Sequence, residues 1–111
     1  MANDLTMLER VLDSFKDAVC VCDTDHVIRH MNVAARERFA GRPAAIGRSI
    51  FDCHNEQSCA QIIEILERLR AGAEEVRLGD GDGERSYMRA VRDEAGNVVG
   101  YYERYEPERG E

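Results

Sequence analysis

The stretch VCVCDTDHVIRHMNVAARERFAGRPAAIGRSIFD, residues 19–52, contains the local signals that decide the fold. Two apolar runs lie on either side of DTD (residues 23–25), and Asp and Thr side chains favour turns because they hydrogen-bond their own backbone. The two runs therefore predict a β-hairpin. In the first run, AVCVC (residues 18–22), both alternating faces are apolar, which predicts a central strand.

After the hairpin, the spacing of apolar residues changes from strand-like to helical. Asn32 is placed to cap a short helix that ends near Gly41, and Pro43 prevents that helix from continuing. The second strand is predicted to include His26 and His30. Their even spacing predicts that both side chains lie on one face, either partly solvated or at a dimer surface.

On the N-terminal side, apolar residues recur at intervals of three and four and predict an amphipathic helix, which Asn3 or Asp4 can cap. These apolar residues are Leu5, Leu8, Leu12 and Phe15. The polar face of this helix is expected to lie in water, so its apolar stripe must cover either its own domain or a partner.

The second half of the chain predicts a long helix followed by three strands. The helix is predicted in CAQIIEILERLRAG, residues 59–72, and closes at Gly72. Its predicted buried face consists of Ile62, Ile63, Leu66 and Leu69. The strands are joined by GDGDG (residues 79–83) and DEAGN (residues 93–97), whose residue types tolerate the backbone angles of tight turns. An antiparallel meander follows from these short connections.

Several short motifs accompany this order of elements. The hairpin has Asp23 at the end of its first strand and Asn32 after its second, small residues follow Asn32, and an Ile-Gly-Arg step occupies residues 46–48. The chain closes with RDEAGNVVGYYERYEP, residues 92–107. In this combination and order the motifs resemble a PAS domain.

The resemblance implies an α+β fold with a five-stranded antiparallel sheet, helices packed on one face, and an N-terminal amphipathic helix. It divides the chain into residues 1–16, a helix that caps the domain or mediates dimerisation, and a PAS-like core at residues 17–107. Residues 108–111 form a solvated tail in this division.

Length, charge and motifs restrict the function. The 111 residues suit one domain, and the net charge of −7 argues against binding to nucleic acid or to an anionic membrane surface. The N-terminus is acidic where a signal peptide is basic, and no run approaches the roughly 20 apolar residues that span a bilayer, so a cytoplasmic location is expected. GxSxG, phosphate-loop and HExxH motifs are absent from the sequence, which favours a role other than catalysis.

The segment FDCHNEQSC, residues 51–59, supports three interpretations of Cys53, His54 and Cys59. The first is structural: Asn55 or Ser58 caps the long helix and Cys53 packs inward. The second is binding of haem or another cofactor, with His54 as the best candidate ligand, because neutral imidazole ligates iron. The third is a zinc site or a thiol redox switch, because a helix N-terminus lowers the pKa of a nearby thiol. The Cys-His step is also similar to a subset of PAS domains, although Asn55 stands where that subset often has Pro.

The resemblance further implies a sensory and signal-transduction module with a pocket between the sheet and the helices. The residues expected to contact a small ligand or cofactor there are Cys53, His54, Cys59, Asn32, Ile62 and Leu66. The ligand is not identified by the sequence, and haem is one candidate.

A homodimer is expected, with Leu5, Leu8, Leu12 and Phe15 at its interface, and a separate signalling protein or output domain is a further expected partner. Two alternatives stay open. One is a ligand-free dimerisation or protein-interaction domain, and the other is a metal or thiol redox sensor that uses Cys53, His54 and Cys59.

Overall fold

A computed structural model describes residues 4–81 and 84–107 of the chain. The helices are α1 (Asp4–Asp13), α2 (Val33–Arg38), a 3-10 helix (Ile50–Cys53) and α3 (Glu56–Arg70). The strands are β1 (Ala18–Asp23), β2 (Ile28–Met31), β3 (Glu75–Gly81), β4 (Glu84–Arg92) and β5 (Val98–Pro107). Asn3, one of the two predicted caps of α1, and the predicted tail at residues 108–111 lie outside the described residues.

The strands form one antiparallel sheet in the order β2-β1-β5-β4-β3. β1 pairs with β2 on one side and with β5 on the other, which confirms the predicted central strand. At Gly100 of β5 an added Cβ would lie 2.6 Å from the carbonyl oxygen of Cys22, so only glycine fits between these two strands. The predicted α+β fold with a five-stranded antiparallel sheet is confirmed.

The hydrophobic core lies between the sheet and α3. The side chains that α3 buries are Ile62, Ile65, Leu66 and Leu69. They pack in one cluster with residues of the sheet that include Cys20, Cys22, Met88 and Tyr101. Burial of this face gives α3 most of its stability, because isolated helices of this length are marginal in water.

The prediction that Ile63 belongs to the buried face of α3 is wrong. Ile63 is 49% exposed, whereas Ile65 is 2% exposed and takes its place in the core. Successive residues of an α-helix are separated by about 100°, so Ile63 points away from Ile62, while Ile65 returns to the same face three residues later. Asn55 caps the start of α3, because its side-chain oxygen accepts a hydrogen bond from Ser58 N at 2.8 Å. Asn55 was one of the two predicted caps, and this prediction is confirmed.

The turn of the first hairpin differs from the prediction. Asp23 Oδ1 accepts hydrogen bonds from Asp25 N at 2.9 Å and Val27 N at 3.0 Å, which confirms the expected turn chemistry. His26, however, lies in the turn with φ of 66°, and β2 begins only at Ile28. The prediction that His26 and His30 share one strand face is therefore wrong.

α1 contacts the sheet on the face opposite α3. His30 pairs with Val21, whereas the next residue, Met31, pairs with Cys20 and points into the core, so the His30 side chain lies on the other face. There His30 Nε2 lies 3.1 Å from Asp13 Oδ1 at the end of α1. This contact fixes the C-terminal end of α1 to β2.

The connections in the second half agree with the predicted meander. Asp93 Oδ1 accepts hydrogen bonds from Ala95 N at 3.0 Å and Asn97 N at 2.9 Å, and Gly96 has φ of 89°. The segment DEAGN therefore forms the turn between β4 and β5. Of the predicted GDGDG turn, residues 82 and 83 lie outside the described residues, and β3 and β4 extend to either side of them.

Candidate functional site

Asn32 was predicted to contact a ligand and to cap α2, and its amide is engaged by the protein itself. The side-chain oxygen accepts hydrogen bonds from Val19 N and Ala35 N, both at 2.9 Å. The side-chain nitrogen donates to the carbonyl oxygens of Leu12 and Asp17, again at 2.9 Å. These four bonds use the two donors and both acceptor positions of the amide. The capping prediction is confirmed, and the geometry makes Asn32 a structural junction.

Cys53 lies at the end of the 3-10 helix, half-buried against the core. Its Sγ donates to Ile50 O at 3.1 Å. Burial raises the pKa of the Cys53 thiol, and the charge of Glu103 raises it further. The sequence predicted a lowered pKa at the N-terminus of α3, whereas the pKa of this thiol is raised, with desolvation of the thiolate as the first cause.

His54 and Cys59 do not join Cys53 in a metal-binding arrangement. The nearest hydrogen-bond acceptors of Cys59 Sγ are the carbonyl oxygens of Phe51 at 3.7 Å and His54 at 3.8 Å. The pKa of His54 is lowered, first by burial and then by the charge of Arg42. Across residues 4–81 and 84–107, no group of three or more His, Cys, Asp or Glu side chains is placed to hold a metal ion. The zinc alternative therefore has no support in this part of the chain.

Ile62 and Leu66 were predicted to line a pocket between the sheet and the helices, and the structure places both in the hydrophobic core. Both are buried on the face of α3 that packs against the sheet. Their neighbours in that core include Cys20, Cys22, Met88 and Tyr101 of the sheet. Their contact with a ligand stays a prediction.

A buried carboxyl group on β5 was not identified as a site residue from the sequence. Glu103 is 1% exposed and faces α3, opposite Cys20 of β1 and Met88 of β4. Its Oε2 accepts a hydrogen bond from the hydroxyl of Tyr105 at 3.0 Å. Burial raises the pKa of Glu103 to about 7, while the Tyr105 hydrogen bond and the charge of Arg38 oppose this rise. The available signal was its alternation with two tyrosines, Tyr101 and Tyr105, on one side of the strand.

A second polar contact lies further along the inner face of β5. The hydroxyl of Tyr101 lies 2.8 Å from His26 Nδ1, and the His26 ring centroid is 4.5 Å from that of Phe51. The pKa of His26 is lowered, first by burial and then by the charge of Arg70. His26 has a positive φ, a backbone conformation that non-glycine residues rarely adopt. In this conformation its imidazole contacts a tyrosine of the core.

The predicted dimer residues lie mainly on an exposed stripe of α1. Leu5 is 66% exposed and Leu8 is 60% exposed, whereas Leu12 is partly buried. Phe15 is exposed but follows the end of α1 at Asp13, so the prediction that it lies on the helix is wrong. Met7 and Val11 extend the exposed apolar surface. The stripe therefore does not cover its own domain. None of the helices in the described ranges has the length and apolar character needed to cross a membrane.

These features define a small α+β domain in which α2, the 3-10 helix and α3 cover one face of a single sheet and enclose buried polar groups, while α1 contacts the other face. The chain belongs to the PAS family: the family model described as the PAS fold matches residues 12–107. Domains of this family are in general sensory and signalling modules, and some of them bind ligands. The resemblance noted in the sequence is confirmed.

Solved structures show the same fold. The PAS domain of BvgS from Bordetella pertussis is 18% identical with a TM-score of 0.73, over 98% of this chain and 89% of that chain. A PAS domain from Colwellia psychrerythraea is 18% identical with a TM-score of 0.66, over 95% and 97% of the two chains. A sensory box sensor histidine kinase from Vibrio cholerae is 16% identical with a TM-score of 0.58, over 91% and 88%. The comparison with curated proteins found no match.

Because Asn32 makes four hydrogen bonds at this junction, even a nearly isosteric substitution should lower the stability of the domain strongly. Asn32→Asp keeps the oxygen that Val19 and Ala35 use, but it replaces two buried N–H donors with an oxygen facing carbonyl groups. We expect the free energy of unfolding at pH 7 in urea to fall by about 2–4 kcal/mol. Asn55→Asp is the matched control, because aspartate caps a helix as well as asparagine and this cap is exposed. Equal effects of the two substitutions would contradict the junction.

Glu103 predicts a specific pH dependence of stability. Because its pKa is about 7 in the folded domain and near 4.5 in the unfolded chain, the folded state binds the proton more readily. Its stabilising contribution is therefore complete below pH 4.5 and is lost as the pH rises through 7, a change of about 3 kcal/mol. In urea unfolding from pH 5 to 8.5, Glu103→Gln should remove this decline, whereas Glu64→Gln, at an exposed position of α3, should retain it. A decline that persists in Glu103→Gln would refute the assignment.

Proposed function

We propose that this PAS domain is a sensory module that responds to a small ligand in its interior and passes the signal through α1 to a second copy of the chain. The observation that carries this proposal is the exposed apolar stripe of α1 on a helix anchored to the sheet. An apolar stripe on an anchored helix suits contact with a partner, since it does not close its own core.

The anchoring of α1 supports a role in transmitting a change. Asp13 holds the end of the helix to His30 of β2, and Asn32 binds the carbonyl oxygen of Leu12. His30 lies in β2 and Asn32 directly follows it. β2 pairs with β1, and the inner face of β1 borders the core. A change in how the sheet packs against α3 would therefore be accompanied by a change in the position of α1. A ligand produces such a change only when it binds one packing better than the other.

The stripe also favours a second copy of the chain as the partner. Apolar area removed from water contributes about 25 cal/mol per Å2, so pairing two such stripes stabilises a dimer by several kcal/mol. The similarity to a sensor histidine kinase from Vibrio cholerae agrees with a signalling role. An output domain or a separate signalling protein is the proposed recipient of the signal.

The interior supports the ligand part of the proposal through its polar groups. Glu103 and Tyr101 place a carboxyl and a hydroxyl on the inner face of β5, and Tyr101 belongs to the same core cluster as Ile62 and Leu66 of α3. The competing proposal is a ligand-free docking domain. It is favoured by the complete burial of large core side chains such as Tyr101 and Leu69, which fill the interior themselves.

A substitution on α1 tests the dimer. Leu8→Glu places a charge in the apolar stripe, and because Leu8 is exposed the fold should be retained. Sedimentation equilibrium should show association at least about tenfold weaker than in the unmodified chain. Ile46→Glu, the same type of change at an exposed residue outside α1, should leave association unchanged. A monomeric unmodified chain, or equal association in both variants, would exclude α1 as the interface.

Native mass spectrometry with an absorption spectrum tests the ligand. We expect the folded protein as purified to carry one additional small mass that is released on denaturation. A Soret band would identify that mass as haem, in which case His54→Ala tests the axial ligand. A native mass equal to that of the chain, with no absorbance beyond that of its tyrosines, would support the ligand-free docking domain instead.

A further inference from the structure

A line of contacts connects the buried Glu103 to the surface. The hydroxyl of Tyr105 donates to Glu103, and the guanidinium carbon of Arg38 lies 4.2 Å from the centre of the Tyr105 ring. The same carbon lies 5.0 Å from the centre of the Phe39 ring, and the two aromatic rings meet edge to face. The Arg38 cation therefore covers the aromatic side chain that hydrogen-bonds the buried acid.

Arg38 also ties the end of α2 to the start of β4. Its Nε lies 3.1 Å from each carboxylate oxygen of Glu84, and a second guanidinium nitrogen contacts the same carboxylate. The Arg38 hydrogen bonds lower the pKa of Glu84, so this outer carboxylate stays ionised at neutral pH. A cleft of about 190 Å3 opens beside the pair and is bordered by Tyr105 as well.

Arg38 is thus placed between two carboxyl groups, Glu84 at the surface and Glu103 inside. A planar guanidinium makes a two-pronged contact with one carboxylate at a time. While Glu103 is neutral, Glu84 is the only charged one of the two. Once Glu103 is ionised, a charge in the core is costly unless a cation approaches it.

We propose that ionisation of Glu103 draws the Arg38 guanidinium away from Glu84 and toward the Tyr105–Glu103 pair, which opens the contact between α2 and β4. Protonation of Glu103 returns Arg38 to Glu84 and closes it. The three residues Arg38, Glu84 and Glu103, from α2, β4 and β5, thus form a proton-dependent switch. It requires neither a ligand nor a second copy of the chain.

The other groups that face Glu103 leave Arg38 as its charged partner. The titratable side chains in its electrostatic environment are Cys20 of β1, Cys53 of the 3-10 helix, Tyr101 and Tyr105 of β5, and Arg38 of α2. Burial raises the pKa of Cys53 and of both tyrosines, and the neighbouring Cys22 thiol together with burial raises that of Cys20, so these groups are neutral near pH 7. β4 and α3 contribute apolar side chains, among them Met88 directly opposite.

Carbon-13 NMR of the Glu103 carboxyl and proton NMR of Arg38 Nε–H between pH 5 and 9 test this proton-dependent switch directly. We expect the two signals to change together with one midpoint near neutral pH. In Glu103→Gln the Arg38 signal should stay in its low-pH position throughout. A Glu103 carboxyl that titrates while Arg38 is unchanged, or that does not titrate in this range, would overturn the proposal.

Two surface substitutions provide an independent test that does not alter the core. Arg38→Met removes the cation that favours ionised Glu103, so the Glu103 midpoint should move to higher pH by about half a unit or more. Glu84→Gln frees Arg38 from its outer partner and should move the midpoint to lower pH. Arg36→Met, a neighbouring cation of α2, should leave it in place. Unchanged midpoints in both Arg38→Met and Glu84→Gln would show that Arg38 does not respond to Glu103.

Discussion

The side-chain amide of Asn32 is the contact on which the first half of the domain depends. Its oxygen accepts from the backbone of β1 and α2, and its nitrogen donates to two carbonyl groups, one in α1 and one in the segment after it. Four backbone groups, one each from β1, α2, α1 and the segment after α1, meet at one buried point, where a lost hydrogen bond is not replaced by water. A carboxylate has no donors and an apolar side chain has neither donors nor acceptors, so the amide is matched to this junction.

The same junction connects the two parts of the domain to which we assign function. α2 begins directly after Asn32, and about two turns later it places Arg38 over Tyr105. α1 ends beside Asn32 and is held there with its apolar stripe exposed. A polar contact in which every donor and acceptor is hydrogen-bonded is rigid, so the elements it joins move together, whereas a loosely packed apolar contact can rearrange. We therefore expect a movement of β1 and β2 to displace α1 and α2 together.

The sequence predicted the five strands, the DEAGN turn and both asparagine caps because each depends on residues close together in the chain, whereas it placed His26 in β2 and not before it. Asn55 and Asn32 each act on a backbone N–H three residues later, so their signals are local. The prediction for Ile63 was wrong because the spacing of apolar residues in a helix does not show which of two adjacent ones, Ile62 or Ile63, faces the sheet. The thiol pKa of Cys53 and the burial of Glu103 depend on which distant element covers them. The alternation along β5 showed that Glu103 shares a side with two tyrosines, but α3, far away in sequence, determines that this side is buried.

Glu103 lowers the stability of the domain at neutral and alkaline pH, so packing alone does not account for it. An apolar side chain such as that of Met88, its partner on β4, fills similar space without a desolvation cost. The cost rises as Glu103 ionises, which happens near neutral pH because its pKa is about 7. A group with this property has two states that differ little in energy, and a small difference in energy is what lets a proton or a ligand shift a population. Because the group is enclosed, its state reaches the surface only through its contacts, and the Tyr105 hydroxyl beneath Arg38 supplies such a path.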